Sequence, residues 1–230
     1  MRRRLLAAVA LFAAAVSVSA ADSKEAAAAK KGLQAVGEFV GTWNLEGKAK
    51  AGGKGWKEAA TWGWKFKGED SWIHIESKDG RFFTEGDLRY LPAKKQYQLT
   101  AKDKDGKEQV FAGELKKGKL VLERKDDKSG DVQRLTFNTL SEGVRMVAQL
   151  DVQSGGRGTF NAQLSAAGNK DGESFAGGAA SKKPECVVTG GAASIPVTYM
   201  GKTYYVCCSG CRDEFNDNPK KYVDAFEKKK

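Results

Sequence analysis

Residues 144–152, Val144-Arg-Met-Val-Ala-Gln-Leu-Asp-Val152, place apolar side chains at every second position. A period of two is the signature of a strand with one buried and one wet face. The same alternation recurs in Trp62, Trp64 and Phe66, in Leu135 and Phe137, and in Phe160, Ala162 and Leu164. Between these segments stand turn residues: Gly52-Gly53, Gly68-Glu-Asp70, Asp79-Gly80, Pro92, Asp105-Gly106, Gly118, Ser129-Gly130, Glu142-Gly143 and Gly155-Gly156. That rhythm over residues 39–165 predicts an antiparallel meander of about ten strands without crossover helices. Closing it into a β-barrel removes the unpaired edges.

Gly41-Thr42-Trp43 opens the first of these strands, and there it resembles the Gly-x-Trp opening of lipocalins and lipocalin-like bacterial barrels. The resemblance implies a barrel that holds a small apolar ligand. Inward aromatic side chains would equally fill a small barrel, and both readings stand at this point. Trp56, Trp62, Trp64 and Trp72 are expected to pack as a core or rim cluster. His74, in Trp72-Ile-His-Ile-Glu76, is read as a hydrogen-bonded or solvated strand residue rather than a haem ligand.

All four cysteines fall near the C-terminus: Cys186-Val-Val-Thr-Gly190, then Cys207-Cys-Ser-Gly-Cys211. Between them Val197–Tyr199 and Thr203–Val206 read as two short strands around Met200-Gly-Lys202, with Gly201 free to take the positive φ of the turn. Such a hairpin returns the chain to Cys186. Arg212 to Phe215 starts a short helix ending at Asn218, because the residue before Pro219 is pushed out of the α region. Pro219 then opens a second helix capped by Asn218, with Tyr222 and Phe226 on one face. Hairpin, knuckle and helix make a small, treble-clef-like α+β unit.

The segment Gly201-Lys-Thr-Tyr-Tyr205, the Cys207-Cys-Ser-Gly-Cys211 knuckle, and Phe215, Pro219 and Tyr222 after it resemble the TRASH and YHS-type domains. That family is associated with trafficking, resistance and sensing of heavy metals. By this resemblance Cys186, Cys207 and Cys211 carry over as metal ligands, with Cys208 an extra thiol that replaces or supplements Cys207. A sulfur-rich site selects soft or borderline ions: three thiolates suit Cu(I), and four would close a tetrahedral Zn(II) site. Two other readings of the cysteines stand beside it. An even number of cysteines in an exported chain is a setting for disulfides, and Cys208-Ser-Gly-Cys211 has redox-pair spacing, without the βαβ context such pairs usually have.

The chain begins with Arg2, Arg3 and Arg4, an apolar run from Leu5 to Val16 and a small-residue exit Ser17-Val-Ser-Ala20. This reads as a secretory signal peptide over residues 1–20, too short to be a membrane span. The expected location is the periplasm or outside the cell, with no stable membrane insertion. Residues 21–38 read as a short helical segment, capped by Asp22 or Ser23 and interrupted at Gly32. Residues 166–183 read as a flexible linker, and 184–230 as the metal-binding domain.

The formal net charge is +10, and +7 once the three N-terminal arginines are set aside. The remaining lysines are interleaved with acids along the strands, a solvated exterior rather than a nucleic-acid footprint. With one histidine and no phosphate-cradling loop the chain has no recognisable catalytic constellation. The carboxylates of Asp103, Asp105, Asp126 and Asp127 fall in turns, where they cap backbone N–H groups. The reading is therefore a non-enzymatic metal binder for sequestration, sensing or delivery. Its alternative is an apolar-ligand barrel with a disulfide-stapled C-terminal adaptor. Oligomeric state and protein partner leave no trace in the sequence.

Overall fold

The structure is a computed structural model and describes residues 20–49, 53–172 and 183–229. Ten antiparallel strands close into a barrel: β1 (Gly41–Ala49), β2 (Trp56–Lys67), β3 (Asp70–Glu76), β4 (Glu85–Leu91), β5 (Gln96–Lys102), β6 (Glu108–Lys116), β7 (Lys119–Lys125), β8 (Val132–Leu140), β9 (Arg145–Gln153) and β10 (Asn161–Lys170). Each pairs with its sequence neighbour, and β1 closes against β10 from Trp43 opposite Lys170 to Ala49 opposite Leu164. The mainly β fold and its strand number agree with the alternation in the sequence.

The interior is filled. Trp43, Trp62, Trp64, Ile73, Ile75, Leu88, Leu99, Leu120 and Leu122 are all buried, and the edge of the Trp62 ring meets Phe137 at 5.1 Å. The interior void bounded by Leu45, Glu58, Trp62, Ser77, Phe83 and Met146 measures about 20 Å³, room for roughly one water molecule. The tryptophan cluster is not a single one. Trp72 points outward, out of phase with Ile73, and carries the Arg89 guanidinium 4.7 Å above its ring. Trp56 sits at the rim, where its indole N–H donates to Glu58.

Three sequence expectations shift. The alternation Phe160, Ala162, Leu164 is broken by an irregularity between Ala162 and Leu164, which leaves Ala162 outside the core. Strand β10 runs on to Lys170, so residues 166–170, read as linker, belong to the barrel, where Ala166 and Gly168 face inward opposite Gly47 and Leu45. Small residues there reflect close packing rather than flexibility: a Cβ on Gly168 would lie 1.8 Å from the Asn44 carbonyl oxygen. The rest of the expected linker, 173–182, and the expected signal peptide, apart from Ala20, lie outside the described residues. Among the described residues no helix is long and apolar enough to cross a membrane.

Helix α1 (Ala20–Gln34) lies against β3 and β4. Asp22 falls within its first turn, not at the cap, and Gly32 lies inside the helix rather than breaking it. The reason is a close approach: a Cβ on Gly32 would overlap the Tyr90 ring at 2.2 Å, while the Gly32 carbonyl accepts the Tyr97 hydroxyl at 2.8 Å. Leu33, Val36 and Phe39 follow into the core, Phe39 stacking on Trp62.

Strand β2 outruns β1. Their pairing ends at Gly41 opposite Trp62, and from Gly63 to Lys67 β2 is paired only with β3. The C-terminal unit docks on this overhang. Its strands β11 (Ile195–Tyr199) and β12 (Lys202–Val206) form the expected hairpin, with positive φ at both Met200 and Gly201, the signature of a type I′ turn. Helices α2 (Ser209–Asp217) and α3 (Pro219–Glu227) follow, and α2 packs on β2. Asn218 stands between the helices without a side-chain capping bond, so Pro219 at the first position and burial of Phe215, Tyr222 and Val223 carry this corner. Barrel and C-terminal unit share one buried cluster, from Leu33 to Val223.

Candidate metal centre

Helix α2 begins at Ser209, three residues before the sequence suggests, so Cys211 lies in its first turn and Cys208 is its N-terminal cap residue. Cys207 lies four residues before Cys211, in the bend that leads into α2, and their sulfurs lie 3.5 Å apart. The third sulfur comes from a separate segment. A tight turn holds Cys186, its N–H donating to the Gly191 carbonyl at 2.7 Å and its carbonyl accepting the Gly190 N–H at 2.8 Å. Val187 N–H donates to the Tyr205 carbonyl at 2.9 Å, which hangs this turn on β12 immediately before Cys207.

The sulfurs of Cys186, Cys207 and Cys211 therefore all lie within 4.8 Å of one another. A metal–sulfur bond of about 2.3 Å implies sulfurs roughly 3.8 Å apart around a tetrahedral ion and ~4.0 Å apart around a trigonal one. The triad brackets those values. Cys186 and Cys211 are buried, whereas Cys207 is half-exposed. All four cysteines are free thiols. Cys208 is not part of the three-sulfur group, although it is an electrostatic neighbour of Cys207 and Cys211. Its backbone is fully extended, with φ −156° and ψ 172°. The three cysteines that the resemblance carries over as ligands thus form one group, with Cys208, the extra thiol, beside it.

The thiols do not titrate alike. Hydrogen bonds with the Cys207 and Cys211 thiols, and then with Thr189, pull Cys186 down against its burial. Hydrogen bonds with Cys207 and Cys211, and then from the backbone N–H groups of Cys211 and Trp64, pull Cys208 down to about 3. Cys207, hydrogen-bonded to Cys186 and Cys208, is pushed up, and burial foremost pushes Cys211 up. Sulfurs this close cannot all ionise unaided. A cation among them is what lets three thiolates coexist.

Several supporting residues escape a reading of the cysteine spacing. Thr189 is buried with its hydroxyl 3.5 Å from the Cys207 sulfur, and it accepts a hydrogen bond from the Cys211 thiol at 3.9 Å. Gln34, at the end of α1, donates to the Thr189 carbonyl at 2.7 Å. Lys30 of the same helix lies over the rings of Tyr222, at 5.3 Å, and Phe66, at 5.5 Å. Burial lowers its pKa, an effect opposed first by Cys211, so this is a cation within electrostatic reach of the sulfurs. The only sequence signal among these is Thr189 itself, three residues after Cys186 in the same turn.

His74 lies on the outer barrel face, with Nδ1 2.6 Å from Asp87 and Nε2 3.3 Å from Glu76. Asp103 and Asp126 accept N–H groups of their own turns, from Asp105 and Lys107 and from Lys128 and Ser129, which lowers both carboxyls. They are turn caps, as their positions in the sequence suggest.

Residues 188–225 match the family model of the YHS domain. The match covers the hairpin, the knuckle and both helices, and begins just after Cys186. Among solved structures the chain is similar to the crystal structure of Rv2717c from M. tuberculosis, at 12% identity and a TM-score of 0.40, covering 61% of this chain and 97% of that one. No curated protein matches the chain.

Proposed function

We propose that this protein is an exported, non-enzymatic binder of a soft or borderline metal ion, held by the thiolates of Cys186, Cys207 and Cys211 for sequestration, sensing or delivery. The observation that carries the reading is the convergence of three sulfurs, from two separated segments, to within 4.8 Å of one another. The YHS match over residues 188–225, which include Cys207 and Cys211, supports it. The donor set is all sulfur, which favours Cu(I) or Zn(II) over hard ions. Cu(I) is satisfied by three thiolates, and Zn(II) would draw a fourth donor from Cys208 or solvent. Export rests on the apolar N-terminal segment with its arginines and small-residue exit.

In this reading the barrel is a scaffold. Its interior void of about 20 Å³ gives no support to an apolar cargo, since ligand pockets are typically hundreds of Å³. The overhang of β2 and helix α1 present the platform on which the three-sulfur unit is assembled.

The test is metal analysis after exhaustive anaerobic dialysis against trace Cu(I) or Zn(II), for the protein and for its Cys186→Ser, Cys207→Ser, Cys211→Ser variant. One equivalent retained by the protein and none by the variant is the expected result. Equal retention by both would overturn the assignment.

A further inference from the structure

Cys208 has no place in the three-sulfur group, yet its position is built. It is the cap residue of α2, placed where that helix meets the β2 overhang. Cys207 and Cys208 line a cleft of about 280 Å³ between the C-terminal unit and the barrel rim. The opposite wall is Thr61, Trp62 and Gly63 of β2. Cys186 and Cys211, the two buried sulfurs, do not line it. Cys207 alone belongs both to the cleft and to the triad.

We propose that the cleft is the port for the metal ion and that Cys208 is a relay ligand, taking the ion first and passing it through Cys207 to the buried pair. The proposal rests on the metal-binding reading above and adds a route to it. Each step is a ligand exchange: a metal–sulfur bond to Cys208 forms as one bond to the donor breaks, and any proton the entering sulfur carries passes to the departing ligand or to buffer. Cys207, Cys211 and Cys186 then displace the remaining donor ligands in the same way. The bond to Cys208 breaks last, its sulfur recovering a proton from the final entering thiol or from solvent. No electrons move, and the ion keeps its oxidation state throughout. Two cysteines on consecutive residues lining one cleft let the ion pass between them without being released to water.

The experiment is anaerobic stopped-flow transfer of Cu(I) from its coloured bicinchoninate complex to the full mature chain, followed by loss of colour. Equilibrium affinity is measured on the same samples. Cys208→Ser is expected to slow transfer by about tenfold or more, a larger factor than any fall in affinity, whereas loss of a resident ligand shows first as lost affinity. Gly63→Leu tests the port without touching a sulfur. A Cβ at Gly63 meets no atom within 4 Å, so the larger side chain projects into the cleft and should slow transfer likewise. Transfer at the wild-type rate in both variants would overturn the relay. So would a loss of affinity in Cys208→Ser matching that of Cys186→Ser, because Cys208 would then be a resident ligand. Failure of the wild-type protein itself to take either Cu(I) or Zn(II) is a different outcome, which removes the three-thiolate site and the relay with it. A melting curve of each variant separates slowed transfer from unfolding.

Discussion

Gly210 stands directly against Trp64: a Cβ at position 210 would lie 1.8 Å from the Trp64 carbonyl oxygen. The contact joins the first turn of α2 to the part of β2 that outruns β1. Cys208 and Cys211 flank it, so the metal knuckle is seated on the barrel. Gly210→Ala is expected to lift α2 off β2, destabilising the chain by ~1–3 kcal/mol as overpacking does, and to weaken metal binding at the same time. Thermal unfolding and metal competition measure the two effects. An alanine variant that melts and binds like the parent would show that the contact is not a constraint.

Thr189 touches two of the three sulfurs and is itself held by Gln34. Thr189→Val keeps the shape and removes the hydroxyl. Outer partners of metal ligands are worth about 10–100-fold in affinity, so a fall toward the lower end of that range is expected by chelator competition. The fold should survive, with unchanged far-ultraviolet circular dichroism.

Glu58 is a buried carboxyl whose Oε2 accepts the Trp56 indole N–H and the Arg81 backbone N–H, both at 3.0 Å. Burial foremost raises its pKa above the usual glutamate value. Above that value the unfolded chain releases a proton that the folded chain retains, so stability is lost as pH rises toward the folded pKa. Glu58→Gln keeps an oxygen acceptor and has no charge to bury. It is expected to melt higher than the parent near neutral pH, with the gap closing as the pH falls toward about 4. A parent more stable than the variant near neutral pH would contradict this.

The packed interior predicts that the protein does not retain a hydrophobic dye. Trp62 is 1% exposed and meets both Phe39 and Phe137. Trp62→Ala should cost about 3–5 kcal/mol and leave a cavity, and dye retention should appear in that variant alone. Dye held by the parent would revive a ligand-carrying barrel.

Much of this architecture was legible because it is local or periodic. The barrel is written in period-two runs such as Val144 to Val152, and the hairpin in two strand-forming runs around Met200-Gly201. The cysteine spacing declared the site, since a hairpin between Cys186 and Cys207 has to bring them together. What stayed hidden depends on contacts far apart in sequence. Nothing near Gly32 announces the Tyr90 ring, and nothing near Gly210 announces the overhang of β2. Residues 166–170 look like linker because a small-residue strand lacks large apolar markers, although β1 packs closely against them. Cys208 is adjacent in sequence to a ligand. Only the placement of the sulfurs in space separates it from the triad.

The central claim is that three cysteine sulfurs hold one soft metal ion, and X-ray absorption at the metal edge of the loaded, anaerobically purified protein tests it most directly. A first shell of sulfur at about 2.2–2.3 Å, lost in the Cys186→Ser, Cys207→Ser, Cys211→Ser variant, is the predicted result. A shell made only of oxygen or nitrogen, or one that persists unchanged in the variant, would contradict it.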